Sequence, residues 1–334
     1  MSPTLTIAIT TYNRNEMLLR TVRSVLNQAP ADVKVLILDN HSDHPVAETL
    51  AELTRSYPET PFTVHRHSSN IGAGANMLRS FELCDTDWLW LLTDKAFVKP
   101  GCVAHLLETI RENSDCLFIN FDVELSPPST AIPRRTTSVV TTGREDLINN
   151  ILYFGSIIDQ MASVYYVPRI RTVLHVGYSY IHCSAAQLVI VLAALRDSDR
   201  CFLSSEQIVM RPGTPPGSQW STLYLMQGCM SILNLPLTPS ERRRLEQKVL
   251  EFLPSRRHYL AKMLILAANK NASATYYYRT YVNLLRFHDH RLGTRVLLLV
   301  ASLLMIAPSL SLRVLEAIAQ RRYGRSLYEA AEPS

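Results

Sequence analysis

The sequence predicts an α/β fold: a mostly parallel, Rossmann-like sheet flanked by helices, with a helical extension at the C-terminal end. Three observations predict it. β-Type runs alternate with segments of helical spacing from Thr4 to about Phe121, the alternation expected of parallel strands joined by crossover helices. Several of these runs stop at polar residues, as strands do where an open sheet presents its carboxyl ends to a ligand. From about Thr238 onward only helical patterns remain. The expected division is therefore residues 1–235 for the α/β domain and 236–334 for the helical region.

The elements follow in order. Thr4 to Thr10 is a β-type run ending at Thr11-Tyr12-Asn13-Arg14, and Met17, Leu18, Val22, Val25 and Leu26 lie at helical spacing between Asn15 and Gln28. Val33 to Leu38 is apolar apart from Lys34 and stops at Asp39-Asn40-His41-Ser42-Asp43. Pro45 to Tyr57 reads as a helix and Phe62 to His65 as a third strand. Ser69-Asn70-Ile71-Gly72-Ala73-Gly74 is a small-residue turn opening a helix that runs to about Glu82. Trp88-Leu89-Trp90-Leu91-Leu92-Thr93 is a fourth strand, and it ends in a lone carboxylate, Asp94, then Lys95 and Ala96. A helix over Cys102–Glu112 and a strand over Cys116–Phe121 come next. Residues 126–143 read as a crossover loop, 144–154 as a helix and 162–167 as a strand. Gly177 to Cys183 leads into an apolar helix over Ser184–Arg196. Cys201–Leu203 reads as a last strand, and 204–219 as a Gly- and Pro-rich loop carrying Arg211.

Composition narrows the function classes. The 334 residues are 47% apolar and 19% charged, an ordinary globular balance, with a formal net charge of +5. That mild excess suits phosphate ligands or an anionic surface as well as a plain soluble protein. The arginines are dispersed and no RNA or DNA motif is present, which argues against nucleic acid. The six cysteines are scattered with no CxxC pair, as expected of reduced thiols in the cytoplasm. The N-terminus lacks the basic n-region of a signal peptide, and Pro308 interrupts the charge-free stretch Val296–Leu312, short of the about 20 apolar residues a membrane helix needs.

Thr11 and Tyr12, Asp39, Asn70 and Asp94 stand at or just beyond four strand ends. Singly, each is as well explained as a helix cap; together they point to one ligand site on one sheet edge. Ile9-Thr10-Thr11-Tyr12-Asn13-Arg14, Leu38-Asp39-Asn40-His41-Ser42, Asn70-Ile71-Gly72-Ala73-Gly74-Ala75-Asn76 and Trp90-Leu91-Leu92-Thr93-Asp94 resemble, in order, the motifs of family 2 glycosyltransferases with the GT-A fold. The resemblance implies transfer of a sugar from a nucleotide-diphosphate donor, with Thr11, Tyr12 and Asp39 on the nucleoside. It leaves Arg14 and Arg79 as diphosphate neighbours or solvated helix arginines.

The pattern breaks at the metal. The family carries a DD or DxD motif whose last acid helps hold Mg²⁺ or Mn²⁺, whereas here Thr93-Asp94 is followed by Lys95-Ala96. Asp94 is the one metal candidate left, and a single carboxylate makes a weak site. Lys95 is expected to stand in as a point charge on the departing diphosphate, the alternative being a surface lysine beside a degenerate site. No acidic pair follows where the family keeps its general base. His182 is the nearest candidate, with Asp159, Asp197 and Glu206 competing; without a base, a retaining reaction stays open.

In the C-terminal region, Arg242, Arg243 and Arg244 read as a solvated helix face. Leu312, Leu315 and Ile318 would share one side of a last helix, with Arg313, Arg321 and Arg322 on the other. Basic residues beside apolar faces suit an anionic membrane surface, a packed cap or a homo-oligomer interface. With the lipid-linked acceptors that the resemblance implies, the expected protein is a peripheral enzyme on the inner face of the cytoplasmic membrane, adding a sugar to a saccharide or lipid-linked acceptor in surface polysaccharide synthesis. A non-catalytic subunit of the same fold, scaffolding a membrane assembly, is the competing expectation.

Overall fold

A computed structural model describes residues 5–58, 62–126, 133–212, 228–252, 264–265, 267–268 and 292–323. The chain forms two compact units, residues 1–219 with 231–249, and residues 220–230 with 250–334.

The first unit is built on a sheet of nine strands among the described residues. Strands β1 (Leu5–Thr11), β2 (Val33–Asp39), β3 (Phe62–Arg66) and β4 (Trp88–Thr93) alternate with helices α1 (Asn15–Leu26), α2 (Val46–Ser56) and α3 (Ala73–Leu83). They lie in the order β3-β2-β1-β4, all parallel. The apolar runs of β1, β2 and β4 are buried on both faces, which is why these strands read as continuous rather than alternating. Leu18, Val22, Val25 and Leu26 are the buried stripe of α1, pressed into the same core as Ile7, Ile37 and Trp90.

The second half of the unit departs from the expected pattern in five places. Phe97–Val98 is a short strand, β5, ahead of α4 (Cys102–Glu112). The strand beginning at Cys116, β6, runs to Ser126 rather than Phe121. Of the expected 126–143 loop, residues 127–132 lie outside the described residues, and Val139–Thr142 forms strand β7 on the strand that begins at Arg200. The expected 144–154 helix divides into α5 (Gly143–Asn149) and α6 (Phe154–Ile157). Asn150 ends α5 by folding its amide back onto the Asp146 carbonyl and carboxylate, both at 2.9 Å. The expected 201–203 strand, β9, extends from Arg200 to Pro212. Half of the presumed 204–219 loop, Arg211 included, is therefore strand, while 213–219 lies outside the described residues.

Strand β8 (Ser163–Tyr166) runs antiparallel between β4 and β6, so β6 and its neighbour β9 point the same way as β4. Short helices α7 (Val167–Arg171) and α8 (Leu174–Ser179) then precede α9 (Ala186–Ala194). Arg135, just past the undescribed loop, is buried against Asp122 of β6, with Nη1 at 3.2 Å from Oδ1 and the backbone N–H at 2.8 Å from Oδ2. Its guanidinium also donates to the Ser204 carbonyl of β9 at 3.0 Å. A buried pair satisfied on so many sides ties the loop end to the β6–β9 seam.

Helix α10 (Pro239–Phe252) keeps Leu245 and Val249 inward and exposes Arg242, Arg243 and Arg244, as expected. In the second unit, α11 (Leu292–Leu304) and α12 (Pro308–Tyr323) are the long described elements. Leu312 is buried and Leu315 partly so, but Ile318 faces outward with the exposed Arg313 and Arg321, so the expected two-sided division fails at that residue. Arg322's side chain lies outside the described residues. No helix among the described residues is long and apolar enough to cross a membrane.

Candidate active site

The parallel register dictates which residues meet. Thr11 pairs with Asp39 and Thr10 with Thr93, so the carboxyl ends of β2, β1 and β4 stand side by side. The ladder continues one residue past each strand: Asp94 N–H donates to Thr10 O (3.1 Å), Asn40 N–H to Thr11 O (3.0 Å) and His67 N–H to Asp39 O (3.0 Å). Two residues at this edge take left-handed backbone, Asn13 (φ 54°) and His41 (φ 67°), a conformation uncommon outside glycine. The turns lock each other there. Asn13 Nδ2 donates to Asp43 Oδ2 at 3.1 Å while Asp43 N–H donates to Asn13 Oδ1 at 2.7 Å. Asn40 Nδ2 donates to Asn70 Oδ1 at 2.8 Å, and Ile71 N–H to Asn40 Oδ1 at 2.9 Å. Asn70 thus holds the turn before α3 with its own carbonyl oxygen.

Asp39 and Asp94 flank the end of β1, about 10 Å apart at two strand spacings. Asp39 is fully buried, accepting from Ser42 N–H at 2.8 Å and from Arg66 Nη1 at 2.7 Å. Burial would raise its pKa, but the Ser42 hydrogen bonds and the Arg66 guanidinium outweigh it and hold the carboxyl below the usual range. Tyr12 stands at the lip beside it, 41% exposed.

Asp94 is set differently. Its Oδ2 accepts from the Thr11 hydroxyl at 3.0 Å and its Oδ1 from Arg14 Nη1 at 3.3 Å. Burial raises its pKa, and the opposing pull of Arg14, Thr11 and Lys95 does not cancel that. Thr21 of α1 donates to the carbonyls of both Asp94 and Ala96, at 3.0 and 2.7 Å, and so fixes the turn from below. Lys95 is partly buried, with its N–H toward the Thr93 hydroxyl at 3.4 Å.

The described residues around Asp94 do not gather a Mg²⁺ or Mn²⁺ site. No group of three or more His, Cys, Asp or Glu gathers among the described residues. Both Asp94 oxygens already have donors, and the position two residues on is the buried, ligand-less Ala96.

The other candidates divide by position. His182 is exposed on the turn after α8, its ring nearly parallel to that of Tyr180 at 6.3 Å. That turn packs on the start of α3: a Cβ on Gly74 would lie 2.8 Å from the Ile181 carbonyl oxygen. His182 therefore sits by the same edge as Asn70. Asp159 is buried and caps residues 160–162 by accepting from Met161 N–H at 3.1 Å. Asp197 precedes β9 at the amino edge of the sheet, the edge opposite Asp94. Glu206 lies mid-strand in a separate open cleft with Lys99, Cys102 and His105. Arg79 pairs with Glu82, whose carboxylate also accepts from the Tyr178 hydroxyl, and no described contact joins it to Asp94. Sequence reasoning missed Arg66, although the parallel register makes it the partner of Asp39.

Residues 6–162 match the family model described as Glycosyl transferase family 2. Among curated proteins, the chain is 28% identical over 127 residues to the processive diacylglycerol beta-glycosyltransferase of Mycoplasma pneumoniae, covering 37% of each chain. It is 32% identical over 118 residues to the abequosyltransferase RfbV of Salmonella typhimurium, covering 34% of each. The matched stretch thus spans little more than a third of those relatives' length. Among solved structures, S. aureus TarS 1–349 in complex with UDP-GlcNAc superposes with a TM-score of 0.63 at 13% identity, over 96% of this chain and 93% of that one. The mannosyltransferase PcManGT of Pyrobaculum calidifontis, in complex with GDP-Man and Mn²⁺, gives 0.52 at 12% identity over 92% and 88%. At these identities the likeness is one of fold, the GT-A arrangement.

Proposed function

We propose, from the match of residues 6–162 to the Glycosyl transferase family 2 model, that the chain transfers one sugar from a nucleoside diphosphate donor to a saccharide or lipid-linked acceptor in surface polysaccharide synthesis. One observation carries this reading: Thr11, Asp39 and Asp94 stand on three adjacent strand tips, with Tyr12 open to solvent beside them. Tyr12 and Asp39 hold the nucleoside, Thr11 and Asp94 border the ribose and diphosphate, and Asn70 keeps the neighbouring turn in place.

In the reaction, the acceptor hydroxyl oxygen bonds to the anomeric carbon as the bond from that carbon to the diphosphate oxygen breaks. The bonding pair leaves with the diphosphate, and the hydroxyl proton passes to a base. His182 takes that role, since it borders the edge and imidazole accepts a proton near neutrality. The enzyme works at the cytoplasmic face of a membrane, where the exposed apolar residues of α11 and α12 meet lipid.

Incubating the chain with sugar nucleotides of UDP, GDP, CDP and dTDP, with lipid-linked and free saccharide acceptors, tests the reading. Turnover of one donor is expected. His182→Ala should then lower kcat by about 10²- to 10⁴-fold, the usual contribution of a general base. Absence of turnover with every donor would return the protein to the non-catalytic class.

A further inference from the structure

We infer that Arg14, anchored from behind by Asp94, takes the place of the divalent ion and clamps the donor's diphosphate, with Lys95 beside it. This rests on the reading above of the strand edge as a sugar-nucleotide site. The argument starts from the ion pair itself. Arg14 Nη1 lies 3.3 Å from Asp94 Oδ1, and the two side chains differ sharply in exposure, 44% for the arginine and 2% for the carboxylate. An anion arriving at this edge therefore meets the guanidinium first and the carboxylate behind it.

A guanidinium has five N–H donors in a planar fork, so the contact through Nη1 leaves most of the fork for a ligand. Phosphate oxygens match that fork in pairs. The anchoring is preorganised at every step. Asp94 is oriented by the Thr11 hydroxyl at 3.0 Å, and its backbone carbonyl by Thr21 at 3.0 Å. Arg14 leaves the end of β1 immediately after the left-handed Asn13, which is itself locked to Asp43.

The charge is of the right sign: Arg14 and Lys95 are both close enough to Asp94 to pull on its carboxyl. As the anomeric carbon–oxygen bond breaks, the charge gathering on the diphosphate meets a fixed cation that need not reorganise. The position that would supply a further metal-binding oxygen is Ala96, buried to 3% with its carbonyl already bonded to Thr21.

The test is calorimetric binding of UDP, GDP, CDP and dTDP to the full chain in EDTA and again with Mn²⁺. One diphosphate is expected to bind in EDTA with an affinity that Mn²⁺ changes by no more than about threefold, under 1 kcal/mol. Arg14→Gln should weaken that binding about 10- to 100-fold, the worth of a charge-assisted contact, and Arg14→Lys should recover part of it. Manganese resonance spectra of the unaltered chain with nucleotide should show no less free ion than the same nucleotide and Mn²⁺ without protein, a readout that does not depend on a variant folding. Diphosphate binding that requires Mn²⁺ and is indifferent to Arg14→Gln would overturn the inference while leaving the sugar-nucleotide site standing. Failure of all four to bind under either condition would overturn both.

Discussion

Asp39 and Asp94 are buried carboxylates two strands apart, yet their surroundings drive them in opposite directions. Asp39 faces Arg66 and the Ser42 N–H and is held below the usual carboxylate range; Asp94, more deeply desolvated than its donors compensate, is held above it. The two make opposite demands on stability. A depressed folded pKa stabilises above the unfolded value, about 3.9, and that contribution is lost as pH falls through the folded one. A raised folded pKa does the reverse: stability declines as pH rises from the unfolded value through the folded one. Asp94 is thus a stability cost at neutral pH, retained for what it orients. Asp94→Asn, which keeps an acceptor for Thr11 and leaves the half-exposed Arg14 to water, should melt higher than the unaltered chain at pH 7. The two melting temperatures should converge below about pH 4, while the variant binds nucleoside diphosphate more weakly. Melting curves over a pH series check this, and a less stable variant at pH 7 would contradict it. Both aspartates were legible in the sequence, because an acid closing an apolar run announces a strand tip. Their partners were not. Arg66 follows from a register that no local pattern encodes, and Arg14 was weighed as a phosphate neighbour without its tie to Asp94.

Among the elements, legibility follows burial. Strands β1, β2 and β4 are buried on both faces, so their apolar runs stand out, and α1 carries a clear stripe. Strand β9 was read too short because Ser204-Ser205-Glu206-Gln207 is polar. It sits between β6 and the short strands β5 and β7, where partial exposure removes the apolar signal. Helix α5 was read too long because its stop lies in the Asn150–Asp146 contacts rather than in a glycine or proline. The junction of α3 with the turn after α8 is the element-scale feature that bears most on catalysis. Gly74 leaves no room for a side chain, since a Cβ there would stand 2.8 Å from the Ile181 carbonyl oxygen. Gly74→Ala must push away the turn that carries His182, because the obstacle is backbone. Overpacking of this kind costs about 1–3 kcal/mol, seen as a lowered melting temperature. If His182 is the base and the donor binds at the tips of β1, β2 and β4 as proposed, kcat should fall about tenfold or more while nucleotide affinity stays within about twofold. An equal loss in both would show that the substitution disturbs the donor edge instead.

At the scale of the whole molecule, the question is where the enzyme works. Helix α11 turns Val296, Leu299, Val300 and Leu303 outward, and α12 does the same with Leu310, Val314 and Ile318, while Ala301 and Leu312 are buried among the described side chains of the two helices. In each helix the outward residues recur at three- and four-residue spacing, so they form one stripe rather than scattered points. The periodicity of α12 was legible in the sequence, but which side it would bury was not, because periodicity locates a stripe without saying what covers it. Arg313 and Arg321 are exposed along α12, and neither helix is long enough to span. Apolar residues rimmed by arginine, on helices that cannot cross, match an interfacial rather than an inserted element. The full chain should therefore float with phosphatidylglycerol vesicles and much less with phosphatidylcholine vesicles. Each arginine near an anionic surface contributes about 1 kcal/mol, so added salt should weaken binding without abolishing it. Leu299→Glu combined with Leu303→Glu should release the protein, since both side chains are already in solvent and the change need not disturb packing. If the same stripe instead joins two copies, light scattering will show a dimer that this double variant dissociates, with no preference for anionic lipid. The two occupants thus give opposite answers to one substitution, and membrane attachment stands only if release from vesicles occurs in a chain that is monomeric throughout.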